Sequence, residues 1–210
     1  MTSPAVRPTP YQLRTPRLLL RCVSPSDAEA RKEAFDSSGT HLDHLFPPPP
    51  EGRLTLDAHA AILRRYRGSF DLDQDRFYGA FDPTTGKLLG ETGVLRRAGI
   101  RALELSYWLR RDAVGQGYAV EMARAMMKVA FVFDQATRMD LTCDVANTQS
   151  AGVAHRLGFT LEGRLRDRQL APHHKRGDIL CFTLLDTEYA KEPAHHLPIE
   201  AFDLLGRRID

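Results

Sequence analysis

A single mixed α/β domain, built on a mostly antiparallel central sheet flanked by helices, is the fold this sequence predicts. Three observations lead there. Strand-like runs joined by turn residues dominate as far as Leu109, strand and helix signals then alternate, and 210 residues with 42% hydrophobic content suffice for one sizeable core. The late order strand, helix, strand requires a crossover, so at least one neighbouring pair is parallel.

The first ten residues carry three prolines and no periodicity, so residues 1–14 read as an arm. Arg17-Leu18-Leu19-Leu20-Arg21 opens the first strand. Ser24-Pro25-Ser26-Asp27 offers an N-cap and an acidic first turn for a helix to about Phe35, which stops before Ser37-Ser38-Gly39. Pro47 to Pro50 form a semi-rigid polyproline break. Beyond it, Leu56, Ala60, Leu63 and Tyr66 mark one face of a second helix over 56–70.

Strands over 76–81 and 88–95 flank Asp82-Pro83-Thr84-Thr85-Gly86-Lys87, a turn that closes a hairpin, and 102–109 supplies the next strand. Met122, Met126, Val129, Ala130 and Phe133 recur at helical spacing over 118–133 and read as core. A strand over 139–145, a short helix over 148–157 and closing strands over 159–163 and 179–185 follow. Residues 15–190 thus form the expected domain. Residues 191–210 are a tail with Pro193 and Pro198 around His195-His196, which either docks a small helix over 199–205 or trails in solution.

A net charge of +2 from nearly balanced acids and bases lacks the clustered footprint of a nucleic-acid binder. Cys22, Cys143 and Cys181 sit inside apolar, strand-like runs and read as reduced, buried thiols. No apolar stretch reaches membrane-spanning length, and MTSPAVRPTP lacks the hydrophobic region of a secretory signal, so a cytoplasmic protein without membrane contact is expected. His41 and His44 have no matching acidic or cysteine set, and no metal is expected.

The most informative segment runs from Tyr107 to Ala119: a strand passes through Gly115 and Gly117 directly into a helix. Glycines let backbone N–H groups turn inward, and the unpaired amides and dipole of the helix favour an anion such as phosphate. Two glycines before a helix also suit an ordinary connection. A dinucleotide-binding loop would follow the first strand, whereas several strands precede this one.

With its downstream context, the segment resembles the GNAT acetyltransferase superfamily. That family's pyrophosphate loop reads Gln or Arg, two variable residues, Gly, one variable residue, then Gly or Ala. Val114-Gly115-Gln116-Gly117-Tyr118-Ala119 matches except at Val114, where Arg110 or Arg111 is placed to compensate. Asn147-Thr148-Gln149-Ser150 and Leu157-Gly158-Phe159-Thr160-Leu161-Glu162-Gly163 are similar to segments of the ribosomal-protein N-terminal acetyltransferases. The resemblance spans about 15–189 and implies a cleft for acetyl-CoA between strands that splay around 105–109 and 141–145. Leu109, Arg110 and Val114 to Ala119 would line the coenzyme, Asn147 would contact its pantetheine arm, and Ser150 would be a general acid at the sulfur. The bland alternative makes Asn147 or Thr148 a helix cap and leaves Ser150 in solvent.

The resemblance also implies a carboxylate base near Glu104. By alternation Glu104 shares a face with Ser106 and Trp108, which equally allows it to face solvent. The implied partner is a primary amine on a protein N-terminus or a small molecule, with a homodimer as one assembly. An α-amine near ~7.7–8.0 needs less help from a base than a lysine near ~10.4. A non-catalytic acyl-CoA sensor is the rival from another class. Arg164, Arg166, Arg168, Lys175 and Arg176, with His173 and His174, form either a solvated loop or a binding patch for acidic groups.

Overall fold

The structure, a computed structural model, describes residues 8–43, 45–50, 52–97, 101–168, 176–191 and 197–209. Nine strands form one sheet: β1 (Gln12–Arg14), β2 (Leu19–Cys22), β3 (Arg76–Phe81), β4 (Leu88–Arg96), β5 (Ala102–Leu109), β6 (Arg138–Asp144), β7 (Thr160–Arg168), β8 (Gly177–Leu185) and β9 (Glu200–Phe202). Their spatial order is β7-β8-β6-β5-β4-β3-β2-β1-β9. Every pairing is antiparallel except β5 with β6, the crossover anticipated from the sequence.

Ser24 opens the first helical region by accepting from the Ser26 N–H, while Asp27 accepts from the Ser24 N–H, so a reciprocal cap starts a turn at Pro25–Asp27. Helix α1 (Ala28–Ser37) continues from it, and Thr55 caps α2 (Leu56–Asp71) by accepting from the Ala58 N–H. Both helices cover one face of β2 to β5. There Phe35 packs edge-on against Trp108 at 4.9 Å, joined by Leu42, Phe81 and Leu88. On the other face α3 (Tyr118–Lys128) buries Met122, Met126 and Met127 in one cluster with Leu103, Leu105, Met139 and Leu141.

The predicted helix over 118–133 is α-helical only to Lys128. Val129–Phe133 widen into a π turn, with the Asp134 N–H donating to the Val129 carbonyl at 2.9 Å. Both periods keep Val129, Ala130 and Phe133 buried, so the apolar pattern persists across the change. Helix α4 (Thr148–Arg156) follows β6. A short helix α5 (Asp186–Lys191), not anticipated from the sequence, follows β8.

At the C-terminal end, strand β9 replaces the docked helix expected over 199–205. Ile199 and Ala201 are buried, and Leu13 pairs with Ala201 across the β1–β9 ladder. Asp203 then accepts from the Leu205 and Arg207 N–H groups and turns the chain back on itself, which ends any helix. The sheet therefore includes residues on both sides of the expected 15–190 span. No helix among the described residues is long and apolar enough to cross a membrane.

Candidate active site

Strands β5 and β6 are parallel neighbours inside the sheet, so both carry the chain to the same end of it. Strand β5 pairs with β6 through only three positions, Ala102 with Arg138, Leu103 with Met139 and Glu104 with Asp140. Beyond Glu104 the two strands part, which opens the gap expected around 105–109 and 141–145. β6 stays in register with β8 throughout, so the divergence belongs to the β5–β6 seam alone.

The glycine loop lies at the mouth of this gap. Gly115 and Gly117 take left-handed φ values of 80° and 82°, which a side chain would strain, and Gly115 to Gly117 are exposed. Among the described residues, the N–H groups of Gly115, Gln116, Gly117 and Tyr118 donate to no main-chain oxygen outside a helix, and no side chain caps α3 at Gly117. Free amides, αL turns and an eleven-residue helix behind them fit a diphosphate. Val114 packs against the core, Tyr118 and Ala119 are half-buried behind the loop, and Leu109 is buried below it.

Arg110 departs from expectation. The residue is 2% exposed, and its guanidinium donates to Glu33, Asp112, the Ser37 hydroxyl and the Leu88 carbonyl. That network ties the end of β5 to α1 and holds the Glu33 carboxyl below its ordinary range. An arginine so engaged cannot stand in for the missing basic residue at Val114. Arg111 is exposed at the same bend.

Asn147 is the N-cap of α4, its Oδ1 accepting from the Ser150 N–H at 3.0 Å. The capping reading of Asn147 is therefore realised, and its amide N–H groups remain for a ligand. Ser150 is half-buried, not in solvent, and its Oγ lies 2.9 Å from the Tyr107 hydroxyl across the gap. Burial pushes the Tyr107 phenol up to about 12 and raises the Cys143 thiol, with the neighbouring Ser150 opposing the rise in both. Three polar side chains thus meet on the α4 face of the seam.

Glu104 occupies the opposite face, at the last paired position before the divergence. Its carboxylate pairs with Arg97 and accepts from the Thr142 hydroxyl, and only 18% of its side chain is exposed. Asp140, Thr142 and Thr183 extend a polar surface along β6 and β8, where Thr183 donates to Asp140 at 2.8 Å. The site can accept a proton on this face and donate one on the other.

Several candidates fall elsewhere. Arg164 and Arg176 are engaged by Asp178 and Asp167, while His173, His174 and Lys175 lie outside the described residues. His44 lies outside them too, and no three His, Cys, Asp or Glu side chains converge among the described residues. Trp108 is core, its indole N–H donating to Glu91 at 2.9 Å. The contact of the Tyr107 hydroxyl with Ser150 is not anticipated from the sequence. A half-buried phenol needing a partner was the available signal.

A glycine loop at the mouth of a split parallel seam defines an acyl-CoA-type transferase fold, and residues 17–160 match the acetyltransferase (GNAT) domain family. The chain belongs to that family of N-acetyltransferases. It is 30% identical over 94 residues, 44% of its length, to YdaF of Bacillus subtilis strain 168, provisionally named a ribosomal N-acetyltransferase. That match spans about half of the relative, 50% of its length. A structure from Vibrio cholerae provisionally described as a ribosomal-protein-serine acetyltransferase superposes with a TM-score of 0.73 at 22% identity, over 85% of this chain and 99% of that one. RimL, a ribosomal L7/L12 α-N-protein acetyltransferase solved with coenzyme A, superposes with a TM-score of 0.70 at 18% identity, over 85% and 97%.

Proposed function

We propose that this protein uses acetyl-CoA to acetylate a primary amine directly, and that a protein N-terminal α-amine is its preferred acceptor. The observation that carries the reading is the seam that parts just after Glu104, with free amides at its mouth and different proton carriers on its two faces. Bound acetyl-CoA would supply an acyl group already activated as a thioester.

The backbone N–H groups from Gly115 to Tyr118 hold the diphosphate, and the gap directs the arm toward Ser150. Glu104, directly or through water, takes the proton that the amine must lose. The Ser150 hydroxyl, backed by Tyr107, delivers a proton to the departing sulfur. The N-terminal acceptor is favoured because an α-amine is partly neutral at working pH and needs little help from a base, while Glu104 is already engaged by Arg97. The names of YdaF and RimL point the same way. Asn147 orients the arm through its remaining amide N–H groups.

Calorimetry with CoA, followed by thiol release on peptides with free or blocked N-termini, tests the reading. CoA uptake with turnover only on free α-amines is the expected result. Uptake without turnover on any amine would favour the sensor, and turnover confined to small amines would overturn the acceptor assignment.

A further inference from the structure

The loop's first position holds Val114, and Arg110 is consumed elsewhere, yet one guanidinium does reach the loop from far away in sequence. Arg17 lies in the tight connection between β1 and β2, where the Thr15 N–H donates to the Leu18 carbonyl at 3.0 Å and the Leu18 N–H donates back to the Thr15 hydroxyl at 3.0 Å. From this rigid turn its side chain crosses to α3. Nη1 donates to the Gln116 carbonyl at 2.8 Å, Nε and Nη2 both reach Oε2 of the Glu121 carboxylate at 2.7 and 2.6 Å, and the guanidinium lies over the Tyr118 ring at 4.6 Å.

We infer that Arg17 is a positioning residue for the coenzyme's diphosphate, acting by aiming the Gly117 amide and by cancelling the charge of Glu121. This rests on the proposed function of the loop. A trans peptide is planar, so its carbonyl and the next N–H point in opposite directions. Anchoring the Gln116 oxygen to Arg17 therefore turns the Gly117 N–H toward the other side of the loop, and the αL conformation at Gly117 lets the chain proceed into α3 from there.

Glu121 supplies the second half of the argument. It is 6% exposed in the first turn of α3, where an uncompensated carboxylate would repel a diphosphate at the helix end. Arg17 neutralises it, and the Arg17 N–H and the Thr15 hydroxyl saturate one of its oxygens at 2.9 and 2.6 Å. A cation supplied from the first hairpin thus does part of the work assigned in the family pattern to a residue of the loop.

The test compares the wild type with R17M, R17K and R17M/E121Q, measuring CoA affinity by calorimetry and turnover with acetyl-CoA and with S-acetyl-N-acetylcysteamine, a donor without diphosphate. R17M should weaken CoA binding by about tenfold or more, the loss expected for one charge-assisted hydrogen bond. It should leave kcat/KM for the short donor within about twofold, because the seam itself is untouched. R17K, which keeps the charge without the fork, should fall between. The double variant leaves no unpaired buried carboxylate, so it remains informative if R17M fails to fold, and it should still bind CoA more weakly than the wild type. Wild-type affinity in R17M or in the double variant, or equal losses with both donors, would overturn the inference. A wild type that does not take up CoA would instead overturn the function proposed for the loop.

Discussion

In the proposed mechanism Ser150 and Tyr107 divide one task between a helix and a strand. The serine is held by its Asn147 cap, and the tyrosine hydroxyl, 2.9 Å away, is the partner that orients it. With its phenol pushed up to about 12 by burial, Tyr107 keeps its proton throughout the range in which an amine is acetylated. S150A is therefore expected to lower kcat by about 10²-fold, the usual worth of a positioned general acid, with little change in KM for acetyl-CoA. Y107F should lower kcat by less, since Ser150 stays in place without its partner. Steady-state kinetics in a chemistry-limited assay decides both. Alternation along β5 correctly put Glu104 opposite Tyr107, yet Arg97, Thr142 and Ser150 as partners were illegible. Those contacts depend on how separate elements come together, which no local pattern encodes.

At the scale of elements, α1 and α2 are joined to the sheet by a buried polar chain. Arg31 donates to Glu91 at 2.9 Å, Glu91 also accepts from Trp108, and His59 of α2 contacts Arg31 through Nδ1 at 2.7 Å. Because Arg31 can only donate, His59 accepts through Nδ1 and is neutral. Burial, and then the Arg31 charge, push its pKa down to about 4. An unfolded histidine titrates near 6.5, so between these values the unfolded chain carries the additional proton. Stability should accordingly fall as the pH drops from 6.5 toward 4, by up to about 1.4 kcal/mol per pH unit. Urea unfolding across that range should show the slope, and H59Q, which retains an acceptor without titrating, should flatten it.

Element by element, legibility tracked the strength of the local signal. Strand β3, strand β5 and the start of α3 match their predicted ranges because alternation, turn residues and helical spacing agree there. β7 was expected to end at Gly163 but continues to Arg168, and its residues are almost all exposed. With no buried face it leaves no apolar period to read. β9 was missed for a different reason: a three-residue strand exists only because β1 offers it an edge.

Across the whole molecule, the chain returns to its own beginning. β9 covers β1, and the β1–β2 turn carries Arg17 to the glycine loop, so the first hairpin contributes to both the sheet edge and the proposed coenzyme site. The fold class was readable from element order, because the strand-helix-strand sequence after Leu109 demands a parallel neighbour. The point at which that parallel pair stops was not, since it depends on the register of two strands separated by a helix.

That short ladder has a mechanical meaning. Among the described residues, β6, and through it β8 and β7, pairs with the rest of the sheet at three ladder positions, much as two halves of an arch meet at a narrow crown. A ligand lodged where the strands diverge would act as the missing keystone. Amide exchange in β6 and β8 should therefore slow when CoA is added, beyond the protection seen around the glycine loop, and an unaltered exchange rate in those strands would show that the two halves stand without it.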